Sequence, residues 1–402
     1  MPPMLSGPMA AILLGVAATR LAAPAATVDE PAASSEARVW RLAWHGYAFL
    51  DSNRQDGPSG GRDFESVNHA MLVATRPLGA WTQSLLGTFS IEPATIAPEG
   101  SPLLFQRGET YGGVLLIDKQ HAHDLFGQLA AEWTRPLPRG TSLRLYAGLR
   151  GEPAVGPVAF PHRLSASEFP MAPLSHHNLD STHISDDVVT AGFTASIVTI
   201  EGSLFHGAEP DENRWDLDQG ALDSYAGRLT LHPLDALSIQ VSACRREEPE
   251  ALEEGNQTRV TASVGWEKRT AGGFVAALLA SGKNELEEGP EWGSLLEAAW
   301  RFRTRHVVYG RVERVDRDVY ELVNKQQRPE TVEPQRTAID GLTLGYALTV
   351  PLLREAETSL GAAVATERFD DRLEPVYGER PVSVWVYLRF GFGSTGGTAH
   401  QH

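Results

Sequence analysis

The sequence has a single cysteine, Cys244, among 402 residues, so no intramolecular disulfide framework holds it together and cysteine usage does not fix its compartment. Basic residues are in deficit: 35 Lys and Arg stand against 51 Asp and Glu, a formal net charge of -16. That balance argues against a nucleic-acid partner, which needs a basic footprint to displace counterions from phosphate, and makes cations the expected clients. Beyond the amino terminus there is no apolar run approaching the roughly 18 to 20 residues of a membrane-spanning helix, so any membrane crossing is made by strands. HExxH and CxxC patterns are missing, and Gly282-Lys283 is followed by Asn284 without the upstream glycine of a phosphate loop. No nucleotide cofactor is implied.

What is present begins with an export signature. Met9 to Thr19 reads "MAAILLGVAAT", and Ala23-Pro24-Ala25 supplies small residues for a cut before Ala26. The expectation is a signal peptide over 1–25 and a linker over 26–37, although no Lys or Arg precedes the apolar core. From Val39 onward the period is two: Leu296, Ala298, Trp300 and Phe302 oppose Glu297, Ala299, Arg301 and Arg303, and Leu143, Leu145, Ala147 and Leu149 oppose Ser142, Arg144, Tyr146 and Arg150. Alternation alone fits a soluble sandwich or an outer-membrane barrel.

Connection lengths separate the two. Strand segments near 38–50, 64–76, 80–92, 125–136, 140–150, 188–196, 197–206, 222–232, 236–246, 257–269, 272–282, 292–303, 305–317, 337–350, 357–369 and 381–392 number about sixteen. Short turns such as "RPLG", "PLPRG" and "HPLDA" interleave with long polar loops, the asymmetry of a barrel with short periplasmic turns and long outer loops. The expected fold is all-β: one antiparallel transmembrane barrel over 38–392, followed by a flexible tail at 393–402. Trp40, Trp44, Trp81, Trp133, Trp266 and Trp300 fall toward the short-turn end, as an interfacial belt requires, whereas Trp215, Trp292 and Trp385 do not.

The last strand, "VSVWVYLRFGF", sets Val384, Val386, Leu388, Phe390 and Phe392 against Ser383, Trp385, Tyr387, Arg389 and Gly391. Here the chain resembles Gram-negative outer-membrane barrels of the porin type, whose final strand commonly ends on an aromatic; in this sequence "GSTGGTAHQH" follows Phe392. The resemblance implies a bacterial outer-membrane location among lipid, a channel for small polar or charged solutes or ions, compatibility with a homo-oligomer, and a third loop folded into the barrel. That loop is read as the longest. Its segment "GEPAVGPVAFPHRLSASEFPMAPLSHH" carries apolar Val155, Val158, Phe160 and Phe169 that need shelter, so it is expected to enter the lumen or cap its mouth.

The alternation turns Arg144, Arg150, Arg228, Arg246, Arg259, Arg301, Arg303, Arg311 and Arg389 inward, with Glu132, Glu201, Glu267, Glu297, Glu313 and Glu367. They are candidates for a pore wall that sorts solutes, or for an ion-pair network that fills the interior. The fifth and sixth loops, "REEPEALEEGNQ" and "KNELEEGPEW", place glutamates from Glu247 to Glu291 on one rim, where they read as a divalent-cation site or as a solvated charged face. Histidines concentrate in the second and third loops. His121, His123 and Asp124, with His176, His177 and His183, are candidate ligands for zinc or copper if the loops meet, which would make a metal-handling outer-membrane protein the alternative reading. A further alternative, an outer-membrane hydrolase, rests on Ser, His and Asp in "HHNLDSTHIS" and on the isolated "GPSGG" at Gly57 to Gly61. No catalytic residue is assigned.

Overall fold

Strict alternation gives a strand one apolar face and one polar face, and the chain uses both without a second layer. The structure, a computed structural model, describes residues 39–252 and 255–393. The expected signal peptide, the linker, the tail from 394, and Glu253 and Glu254 lie outside the described residues. The wall opens with β1 (Arg41–Arg54), which pairs antiparallel with both β2 (Arg62–Glu65) and β3 (Asn68–Leu78); these two act as one wall strand broken at Ser66 and Val67. Then comes β4 (Trp81–Phe89), and after it a short helix α1 (Glu92–Thr95) and a hairpin of β5 (Ser101–Tyr111) and β6 (Val114–Gln120) that forms its own two-stranded sheet. The wall resumes with β7 (Phe126–Leu137) and β8 (Thr141–Gly151), passes the short helix α2 (His176–Leu179), and continues through β9 (Ser185–Ala195), β10 (Val198–Phe205), β11 (Ser224–Leu234) and β12 (Leu237–Arg246). It is completed by β13 (Gln257–Thr270), β14 (Gly273–Leu286), β15 (Gly289–Phe302), β16 (His306–Asp318), β17 (Arg336–Val350), β18 (Glu357–Arg368) and β19 (Val382–Gly393), with helix α3 (Val319–Asn324) between β16 and β17.

Each wall strand pairs antiparallel with its neighbour. β19 closes on β1 in a register running from His45↔Gly393 to Arg54↔Val384, giving a closed barrel of 16 strands. Closure leaves no sheet edge, and the outward faces carry exposed Leu42, Leu72, Leu85, Leu145, Ile200, Leu296 and Leu344, an apolar band suited to hydrocarbon. Short turns sit at one end. At the other end are loops L1 (55–61), L2 (90–125), L3 (152–184), L4 (206–223), L5 (247–256), L6 (287–288), L7 (319–335) and L8 (369–381).

Two loop expectations change. L2, not L3, is the longer, and it carries the β5–β6 hairpin. L6 is a tight turn at Glu287 and Glu288, because β14 and β15 continue together to Leu286↔Gly289; Glu285 and Glu291 are strand residues. Above the lipid a strand needs no apolar face, so the polar "KNELEEGPEW" remains paired. The three tryptophan exceptions also resolve: Trp215 is exposed on L4, Trp292 is exposed on the outer wall toward the loop end, and Trp385 points into the barrel, buried. At the short-turn end Arg76 lies 4.5 Å over Trp40 and Arg135 5.7 Å over Trp81, cation–π contacts that suit a boundary between lipid and water.

A notch in the wall seats α2. Gly282 and Gly293 are cross-strand partners on β14 and β15. A Cβ at Gly282 would lie 2.0 Å from the Asn178 carbonyl oxygen, and one at Gly293 would lie 2.6 Å from Asn178 Cβ, so only glycine leaves room for the helix. Gly293→Val is expected to expel α2 from the wall without breaking the strand ladder. Limited proteolysis of the detergent-solubilised barrel should then cut within 176–184, and resistance equal to the parent would refute the notch.

Candidate functional site

L3 leaves β8 and turns into the barrel, where wall residues hold it along its length. Arg163 reaches Glu297 at 3.2 Å and Asp180 at 2.6 Å, and Ser165 donates to Glu297 at 2.8 Å. Arg311 binds the second Glu297 oxygen at 2.6 Å and lies 4.0 Å over the Phe169 ring. Further along, the Ser175 backbone N–H and hydroxyl both donate to Glu313, and Arg259 and Asn284 donate to the His177 carbonyl at 2.7 and 2.9 Å. Such buried ion pairs contribute little net stability but strongly penalise any other loop position.

The β5–β6 hairpin of L2 occupies the loop-side half beside it. Phe105 is wholly buried and stacks on Tyr377 of L8 with ring centroids 4.1 Å apart. Arg107 pairs with Glu321 of α3 at 2.7 Å, Asp118 is bound by Lys325 of L7, and Tyr377 donates to Asp118. Arg317 of β16 ties the two inserted loops together, donating to the carbonyls of Phe105 and Leu174 at 2.8 and 2.7 Å. Hairpin and arm also touch directly: a Cβ on Gly108 (φ +143°) would lie 2.3 Å from the His177 ring.

Below the arm, toward the short turns, is a cavity of about 1020 Å³, lined among others by Tyr47, His69, Arg163, Ser165, Glu357 and Arg389. Around L2 and L3, three voids measure about 10 to 30 Å³, roughly one or two water molecules each.

The candidate charged residues divide by position. Glu132, Arg144, Glu201 and Arg228 form a row across the inner wall, with contacts of 2.8 to 3.0 Å. Glu267 pairs with Arg269 at the edge of the large cavity; Arg301 binds Glu357 at 2.6 Å; Arg389 lies over Tyr47 and Phe49. Glu367 is partly buried, with one carboxylate oxygen lacking a hydrogen-bond partner. Glu297, Arg311, Glu313 and Arg259 hold L3. Arg246 contacts Glu209 of L4, and Arg150, wholly buried, gathers Asp124, Asp186 and Asp218, so both tie loops to the rim. Arg303 requires correction. β15 ends at Phe302, and Arg303 occupies the following turn with φ 50°, so alternation no longer governs its direction.

The histidines of L2 and L3 come together. Ring centroids lie 6.2 Å apart for His121 and His123, 5.7 Å for His121 and His177, 5.5 Å for His123 and His183, 5.2 Å for His176 and His177, and 5.3 Å for His176 and His183. Asp124 lines the same small void but is bound by Arg150 and Arg214. Burial drives the His177 and His183 rings well below the usual histidine range, assisted by the neighbouring His176, and keeps them neutral. At His123 burial acts the same way, but the Glu92 carboxylate at 2.8 Å outweighs it and raises the ring above its ordinary value. Asp180 shows the converse: burial opposes its charge, yet Arg163 and His176 hold the carboxyl far below the carboxylate range. The cluster thus sets the neutral rings of His177 and His183 among fixed anions, with His123 held by Glu92.

Among the described residues, Asp211, Asp216 and Asp218 on L4 are a group of three whose donor atoms lie within 4.8 Å of one another, on the surface. The glutamates of L5 and L6 form no such group there. Ser59 of "GPSGG" donates to the Val376 carbonyl in an L1 turn, away from any strand-to-helix elbow.

Sequence reasoning missed the hairpin and the residues that anchor both loops: Arg163, Asp180 and Arg317, and Glu109 of the hairpin, which pairs with Arg214 of L4. One signal was available. Gly112-Gly113 between "GETY" and "VLLID" is a two-residue hairpin turn, and both glycines have positive φ, 64° and 72°.

No protein-family model matches the sequence, and no curated protein matches it significantly. Solved structures do. The anion-selective porin from Comamonas acidovorans is 13% identical with a TM-score of 0.52, the alignment covering 88% of this chain and 100% of that one. OprB from Pseudomonas putida is 9% identical at 0.51, covering 88% and 94%. Salmonella typhi OmpF, solved with daunomycin, is 7% identical at 0.51, covering 87% and 97%. At such identities the likeness is one of fold, and in fold the chain is a porin-type outer-membrane β-barrel.

Proposed function

We propose that the protein is an outer-membrane channel for passive diffusion of small polar or charged solutes, narrowed from the outer side by L3 and the L2 hairpin. The observation that supports this most is the contrast between the cavity of about 1020 Å³ below the L3 arm and the voids of about 30 Å³ or less packed around L2 and L3. A constriction made of inserted loops and rings of paired charge selects by size and by the charge a solute offers. The loops, not the wall, set the narrowest point. Purified barrel inserted into planar bilayers should give discrete conductance steps that are small for a wall of 16 strands. Folded protein that gives no steps, and no permeability of loaded liposomes to sugars or amino acids, would refute a channel.

A further inference from the structure

We infer that the histidines joining L2 to L3 form a binding site for one zinc or copper(II) ion, with His123, His176 and His183 as nitrogen ligands and Glu209 as the carboxylate. The first observation is how the rings spend their nitrogens. His123 Nδ1 faces Glu92 Oε2 at 2.8 Å, His176 Nδ1 faces Asp180 Oδ1 at 2.8 Å, and His183 Nδ1 faces the Asp180 carbonyl at 2.8 Å. An oxygen acceptor at Nδ1 places the proton there and leaves Nε2 as a lone pair. That is the arrangement by which outer carboxylates and carbonyls orient metal-binding imidazoles.

The second observation is the space those rings surround. His121, His123, His176, His183, Glu109, Asp124, Glu209 and Arg214 line a void of about 10 Å³, the size of one water molecule or ion. Two donors on its wall are buried without a hydrogen-bond partner: His123 Nε2, and Glu209 Oε2, whose sister oxygen binds Arg246. Arg214 on the same wall is committed to Glu109 and Asp124, so an unpaired nitrogen lone pair and an unpaired carboxylate oxygen beside one void are costly unless a further cation stands between them. Three imidazoles and one carboxylate are a donor set that suits tetrahedral zinc and also copper(II).

The donors do not yet converge within 4.8 Å, as Asp211, Asp216 and Asp218 do, so binding draws the rings inward about their side-chain bonds. The ion would join L2, L3 and L4 at one point, a role separate from conduction.

The test uses the detergent-purified barrel, stripped with chelator, with His400 and His402 replaced so that the tail offers no imidazole. Titration with copper(II) chloride or zinc chloride should show one ion per chain at micromolar affinity or tighter. The copper(II) form should give an electron paramagnetic resonance spectrum with nitrogen couplings. His123→Ala and His183→Ala should each weaken binding at least tenfold, and Asp180→Asn, which releases the ring of His176, by roughly ten- to a hundredfold. Replacing Asp211, Asp216 and Asp218 by asparagine should change nothing. Oxygen-only coordination in the parent spectrum, affinity no better than millimolar, or loss of binding in the asparagine variant alone would overturn the assignment, and the spectrum does so without relying on any variant to fold.

Discussion

Excising residues 157–175 is expected to raise single-channel conductance several-fold while leaving the barrel intact. The segment is the part of L3 that roofs the large cavity, and the chain returns close to where it left: Gly156, with φ +69°, packs so closely on Leu179, the last residue of α2, that a Cβ would lie 2.2 Å from that residue's carbonyl oxygen. Joining Gly156 to His176 therefore removes a closed excursion and does not pull α2 from its notch. The wall tolerates the loss, because Glu297 keeps Arg311 as partner when Arg163 and Ser165 are gone. Glu313 loses its two hydrogen bonds from Ser175 but stays on β16, which is paired on both sides. Bilayer recordings decide the matter. Unchanged conductance would place the barrier in the β5–β6 hairpin and sink the reading of L3 as the constriction.

The second large effect is expected from Glu297→Ala. Glu297 is completely buried and neutralises two guanidiniums, Arg163 of the loop and Arg311 of the wall. Removing one member of a buried pair costs about 3–5 kcal/mol, mostly because the remaining charge is left without a partner. Register specifies where that cost appears. β15 is paired along most of its length on both sides, so the wall persists, whereas L3 has lost its central anchor and escapes toward water. The expected readouts are new protease cleavage within 152–184 and a noisier, larger open-channel current, with Glu297→Gln intermediate because its amide still accepts a hydrogen bond. A variant that unfolds the barrel and leaves L3 protected until it does so would show that Glu297 serves the wall instead.

The wall was readable because membrane strands follow one rule: lipid on one face and polar contents on the other. Thus Trp385 was placed inward from alternation alone, against the habit of tryptophan to sit at the interface, and it is buried there. The rule weakens where the lipid ends. It misled at "KNELEEGPEW", where paired strands continue into water, and at Arg303, where a turn had already begun. The site was less legible, because its partners lie far apart in sequence. Nothing local to "HAHD" says that His123 will meet His183, or that Arg107 will meet Glu321, 214 residues on. Those contacts exist because closure folds separate loops into one small space.

That closure also orders events in time. β1 and β19, the two ends of the described chain, form the seam, and the contents of the barrel are tied to residues synthesised late, such as Tyr377, which reaches Asp118 from 259 residues away. Pairing β19 with β1 joins the two ends of the described chain, and such non-local contacts are the slow ones to form in β proteins. A chain lacking its last strand would therefore fail inside as well as at the seam.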